Sequence, residues 1–142
     1  FYAGYGAKDG DVEAPSAMGL ATSRDGIVWD KFARPVFSGD RGLAWEDGSV
    51  SKIDVAWTGD RYVLLYAGRT GGSRGLATSP DGIEWQRVSD DPVLTGLDVP
   101  RPAIFSTSML VDGDRIRVYV SNGGHRTTSS VYEMELITLD DE

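Results

Sequence analysis

Residues 19–29 read Gly-Leu-Ala-Thr-Ser-Arg-Asp-Gly-Ile-Val-Trp, and residues 75–85 read Gly-Leu-Ala-Thr-Ser-Pro-Asp-Gly-Ile-Glu-Trp. Nine of the eleven positions are identical, at an offset of 56 residues. Each copy has the chemistry of a tight turn. The Ser and Asp oxygens can accept backbone N–H groups, and the Gly after the Asp admits φ > 0. Asp-Gly between apolar runs is a strong short-range hairpin signal. The Trp four residues after the Asp can fold back over the hairpin and bury a large surface. The flanks repeat as well: Tyr2-Ala3-Gly4 matches Tyr66-Ala67-Gly68, and Pro35-Val36 matches Pro92-Val93.

Outward from the second copy, the pattern gives four short strands. Ser49–Ala56 is the first, and Gly59-Asp60 turns the chain into Tyr62–Ala67. That second strand is apolar on both faces, as expected of a sheet sandwiched between two neighbours. Gly75–Ser79 and Glu84–Arg87 follow, joined through Asp81-Gly82. A strand-rich period near 56 suggests propeller blades rather than a helical solenoid, and four antiparallel strands make one blade. Phe1–Gly4, Ala17–Ser23 and Val28–Lys31 resemble strands two to four of a preceding blade. Ser106–Val111, Arg115–Ser121 and Ser130–Leu139 begin a following one. The expected division is an incomplete blade over 1–40, a complete one over 41–97 and an incomplete one over 98–142. Propellers close with ~4–8 blades, so the chain reads as part of a longer protein or as a short chain that closes its ring by oligomerisation.

Composition agrees with an all-β protein. Gly is 18 of 142 residues, spread among Trp, Tyr and Val as turn punctuation rather than low complexity. No apolar run approaches the ~20 residues of a membrane-spanning helix. Cys is absent, which excludes a disulfide framework, a thiolate–zinc site and a thiol nucleophile. The net charge of −8 leaves no electrostatic footprint for nucleic acid or an anionic membrane, so neither is an expected partner.

The motif Ala-Thr-Ser-x-Asp-Gly-Ile-x-Trp followed by Pro-Val resembles the blade repeat of the five-bladed propellers shared by arabinanases, invertases, levansucrases and their relatives. Trp45-Glu46-Asp47-Gly48-Ser49-Val50, with Gly59-Asp60-Arg61-Tyr62 and Tyr66-Ala67-Gly68, looks like the same repeat upstream. Arg101-Pro102, Asp112-Gly113-Asp114-Arg115 and Val118-Tyr119 resemble the next one. The resemblance spans essentially the whole chain and implies a glycoside hydrolase acting on an oligo- or polysaccharide. Its acids would sit on inner strands facing a central funnel. Such hydrolysis needs two carboxylates, ~5 Å apart for retention and ~6.5–9.5 Å for inversion.

The resemblance sorts the acids. Asp25, Asp60, Asp81, Asp112 and Asp114 belong to turns, and the duplicated Asp25 and Asp81 read as blade staples. Asp30 and Glu84 fall on outer strands. Asp47, at the start of an inner strand, is the first catalytic candidate, and Asp54, mid-strand where the relatives' repeat has Pro, is the second. Arg101, Trp45 and Glu46 are expected at the substrate. The guanidinium of Arg101 would hold a sugar hydroxyl or a carboxylate, although Pro102 follows it directly where invertases have Arg-Asp-Pro. Trp45 and Phe105 could stack on a sugar ring. No cofactor is expected. Asp9, Asp11 and Glu13 alternate as calcium ligands do, so a structural calcium ion is conceivable there, but the glycine and distal Glu of an EF-hand loop are missing. His125 is the only His, without a Gly-x-Ser-x-Gly companion. Two other functions stay open: a non-catalytic propeller that binds a glycan or a protein, and a related glycoside phosphorylase with a basic phosphate pocket.

Overall fold

In the computed structural model, which describes residues 1–5, 15–69, 72–96, 104, 106–113, 115–121 and 131–136, the chain is all-β. Strands β1 (Tyr2–Tyr5) and β2 (Ser16–Gly19) pair antiparallel, as do β3 (Ala21–Thr22) and β4 (Asp30–Lys31). The central sheet runs β5 (Ser51–Trp57), β6 (Tyr62–Ala67), β7 (Ser73–Ser79), β8 (Gln86–Arg87). β9 (Leu94–Thr95) joins the same sheet by pairing with the first residues of β7, beside β8. A third sheet runs β10 (Ser106–Asp112), β11 (Arg115–Ser121), β12 (Val131–Leu136), again antiparallel.

The sequence-based strands lie on these elements with local corrections. Ala17–Ser23 is not one strand: it breaks at Leu20 into β2 and β3. Val28–Lys31 shortens to β4, because Asp25 holds the N–H groups of Ile27 and Val28 inside the turn. β9 escapes the pattern altogether, since two residues are too few to show a period.

β6 explains why the central sheet is central. Val63 through Ala67 are all fully buried, because the two faces of the strand meet different neighbours. Val63 and Leu65, with Leu76 and Leu94, pack on Ile116, Val118 and Val120 of β11. Leu64, Tyr66 and Ala77 pack the other way, on Met18 and Phe37 of the first sheet. Burial of each such leucine contributes ~1.5–3 kcal/mol. Three of the four sheets, β1–β2, the central one and β10–β12, therefore stack face to back, and that stacking replaces the alternation seen in a sheet with one wet face.

The turns of the two eleven-residue repeats fold alike, although the strand before the turn is broken at Leu20 in the first and continuous through β7 in the second. The Ser Oγ accepts the Gly N–H at 2.8 Å in each, and Asp Oδ1 accepts the next two N–H groups at 2.8 and 2.9 Å in each. The indole N–H of Trp29 or Trp85 returns to the Gly carbonyl, at 3.3 and 3.0 Å. Gly26 and Gly82 take φ of 75° and 79°, the region the turn requires. The backbone donors hold both Asp carboxyls below the usual range, with the Ser hydroxyls assisting. Neither Asp has a geometry that differs from its twin, as a structural staple requires.

Candidate functional site

The start of β5 is shaped by a compact turn over residues 43–48. Glu46 N–H and Asp47 N–H both donate to the Leu43 carbonyl at 3.1 Å, and Ser49 N–H donates to the Glu46 carbonyl at 3.0 Å. Two glycine crossings clamp this turn. A Cβ on Gly39 would lie 2.5 Å from the Gly48 carbonyl carbon, and a Cβ on Gly68 would overlap the Trp45 carbonyl oxygen and the Glu46 backbone. Only glycine lets three chain segments approach so closely.

The clamp directs Asp47 and Glu46 in opposite ways. Asp47 does not lie in the strand, as the pattern suggested, but four residues before it, with φ of 45°. Asp tolerates this left-handed conformation better than most residues. Its carboxylate is exposed and forms an ion pair with Arg69, Nε to Oδ2 2.9 Å, while the same Nε donates to the Asp47 carbonyl at 3.2 Å. Arg69 is placed by its own N–H, which donates to the Glu46 carbonyl at 3.0 Å.

Glu46 points inward and is fully buried. Arg87 grips both of its oxygens, Nε to Oε1 and Nη2 to Oε2 at 2.8 Å each. The Tyr66 hydroxyl donates to Oε1 at 2.6 Å. Arg87 also donates to the Ser38 carbonyl at 2.7 Å, and its guanidinium lies 4.4 Å from the Phe37 ring centre. Burial, with the adjacent Glu46 carboxylate, pushes the Tyr66 phenol well above its usual value. Burial is the largest influence on Arg87 and opposes its charge, but Glu46 and Tyr66 together outweigh it and raise that group. This cluster ties the turn, β6, β8 and the Ser38 segment together, and it withdraws Glu46 from any solvent-borne sugar.

Trp45 is half-buried against the Tyr66 ring at 5.5 Å and against Gly75, and its indole N–H donates to the Asp90 carbonyl at 2.8 Å. It is packed as a core residue. Asp54 reaches across to the third sheet, where Oδ2 accepts the Met109 N–H at 2.5 Å. A bulge between Ser51 and Asp54, with Lys52 at φ of 45°, re-aims the strand so that this carboxylate faces β10. Burial, then the Arg74 charge, lowers the Lys52 amine. Arg74 itself is fully buried, donating to Thr107 Oγ1 at 2.9 Å and to the Ser73 carbonyl at 3.1 Å, and burial pushes it down to about 10.

The structure therefore brings Trp45, Glu46 and Asp47 to one turn and sends Asp54 elsewhere. Arg101, Phe105, His125 and the Asp9–Asp11–Glu13 loop lie outside the described residues. Among the described residues, no three His, Asp or Glu side chains gather as metal ligands do. Sequence reasoning missed Arg69 and Arg87. Arg69 had a signal, because it follows the Tyr-Ala-Gly triplet whose glycine marks a close approach. Arg87 had none, since its acid lies 41 residues away.

No protein-family model matches the chain, and no curated protein matches it.

Proposed function

We propose that the chain supplies part of a propeller-type glycoside hydrolase and that Asp47 is the carboxylate it brings to the glycosidic bond. The observation that carries this reading is Asp47 itself. It is exposed, sits on a left-handed turn in front of β5, and is oriented by Arg69 through two contacts from one nitrogen. A non-glycine residue held in that conformation costs of order 1–3 kcal/mol, a strain that clusters at functional sites. Glu46 and Asp54 are engaged elsewhere, so the second carboxylate of the pair comes from another part of the ring. Asp47 then acts as base, nucleophile or modulator of that partner according to their separation. Substrate recognition by hydrogen bonds and stacking suits a neutral sugar and an acidic protein.

The test is hydrolysis of aryl glycosides and oligosaccharides by the protein and two variants, each checked for folding. Asp47→Asn should lower turnover ~10²–10⁴-fold, the usual cost of lost acid–base function. Asp81→Asn should leave turnover nearly unchanged once folding is allowed for. Equal turnover in the two variants would remove Asp47 from the chemistry. Retained glycan binding without hydrolysis in the parent protein would support the non-catalytic propeller instead.

A further inference from the structure

A cleft of about 240 Å³ lies between residues 32–40, which follow β4, and residues 83–87, which end in β8. Both walls belong to described segments, and neither Asp47 nor Arg69 lines the space. The most deeply buried polar side chain at the cleft is Arg87, 8% exposed. Its Nε and Nη2 hold Glu46, Nη2 also holds the Ser38 carbonyl, and the Phe37 ring lies against the guanidinium. Nη1 makes no hydrogen bond among the described residues, yet it is not sealed from solvent. A polar group on so buried a side chain is normally bonded, by protein or by something that enters. The free N–H edge of Arg87 is therefore a preformed donor at the cleft.

The charges around the cleft decide what can meet that donor. Glu46 neutralises Arg87 from behind. Arg34 and Glu84 stand on opposite walls and approach to 3.8 Å, both largely exposed. Asp40, on the first wall, has no hydrogen-bond or ion-pair partner among the described residues. An anion would face the unpaired Asp40 carboxylate, and a cation would face the Arg87 edge. A hydroxyl both donates and accepts, so a neutral molecule with several hydroxyls can accept from Nη1 and donate to Asp40. Phe32, 38% exposed on the first wall, offers a ring to the C–H face of such a molecule. The space is below the ~300–1,000 Å³ of sites that enclose drug-sized ligands, so it suits a single ring rather than a chain buried along its length.

We propose that this cleft is a second carbohydrate site, taking one neutral sugar ring between residues 32–40 and 83–87, with Arg87 Nη1 as donor and Asp40 as acceptor. It is separate from the Asp47 turn and does not depend on hydrolysis there.

Titration of isotope-labelled protein with glucose, galactose, mannose and arabinose, each alone, tests it through backbone amide NMR shifts. At least one sugar should give saturable shifts in the millimolar range, confined to residues 32–40 and 83–87. Replacing Arg87 would disturb Glu46, so the variant of choice is Asp40→Ala, at an exposed side chain, with circular dichroism as the check on folding. It should weaken binding by about tenfold, the loss of one charge-assisted hydrogen bond. Asp47→Asn should leave the same shifts and affinity unchanged. Silence with all four sugars, shifts centred on residues 43–48 instead, undiminished binding in Asp40→Ala, or loss of binding in Asp47→Asn would each overturn the proposal. Acetate or ammonium shifting these segments while the sugars do not would overturn it too, and would give the charge of the true occupant.

Discussion

Replacing Glu46 by Gln probes the buried cluster that organises the candidate site. The substitution keeps the shape of the side chain and an oxygen for the Tyr66 hydroxyl, now 2.6 Å from Oε1. It removes the charge that Arg87 meets at two points, both 2.8 Å long. The Arg87 side chain is 8% exposed and that of Glu46 fully buried, so water cannot take over the lost pairing. Breaking a buried pair from one side costs ~3–5 kcal/mol, because the remaining charge is left uncompensated. Against a total stability of ~5–15 kcal/mol for a domain, that is a large fraction. Urea unfolding should show a lower midpoint at an unchanged slope. The pairing can be separated from the packing by Glu46→Leu with Arg87→Met, which removes both charges. That double variant should recover most of the loss, short of ~1–3 kcal/mol for the stranded Tyr66 hydroxyl, and adding Tyr66→Phe should recover that too. A loss below ~1 kcal/mol in Glu46→Gln would refute the buried-pair account. A stable Glu46→Gln variant that no longer bound a glycan would return Glu46 to the substrate.

Gly68→Ala should destabilise by ~1–3 kcal/mol in thermal or urea unfolding, since its Cβ would overlap the Trp45 carbonyl and nothing flexible can yield. Acid should weaken the hairpins: hydrogen-bond donors lower the carboxyls of Asp25, Asp60 and Asp81, so their stabilising contribution is whole above the ordinary carboxylate value of ~4 and is lost as pH falls through their lowered folded values. Urea midpoints measured from neutral to acid pH should therefore fall, and Asp25→Asn with Asp81→Asn should flatten that decline. At alkaline pH, the raised Tyr66 should stay protonated in the folded protein while an ordinary tyrosine ionises near ~10, so ultraviolet titration should count fewer than the six tyrosines of the chain until it unfolds. Full ionisation of all six in the native state would contradict the burial of that phenol.

The all-β class and the strand order were legible in the sequence because both rest on local chemistry. Asp-Gly turns, Gly at φ > 0 and alternating or continuous apolar runs each act over a few residues, and the nine identities between 19–29 and 75–85 specify the same turn twice. Even the role of Asp25 and Asp81 followed, since their hydrogen-bond partners lie within three residues. The candidate site was only partly legible. That Trp45-Glu46-Asp47 leads into a strand could be read, but which of its two acids meets solvent could not. Left-handed φ at Asp47 turns its carboxylate outward to Arg69, while Glu46 turns inward to an arginine 41 residues away. The direction of Asp54 was equally hidden, because a bulge breaks the two-residue period from which side-chain direction is inferred. The difference between Trp29 and Trp85 is the plainest case. Nine of their eleven residues and their turns are the same, and Phe1, brought over one of them by the stacking of whole sheets, covers that one and not the other.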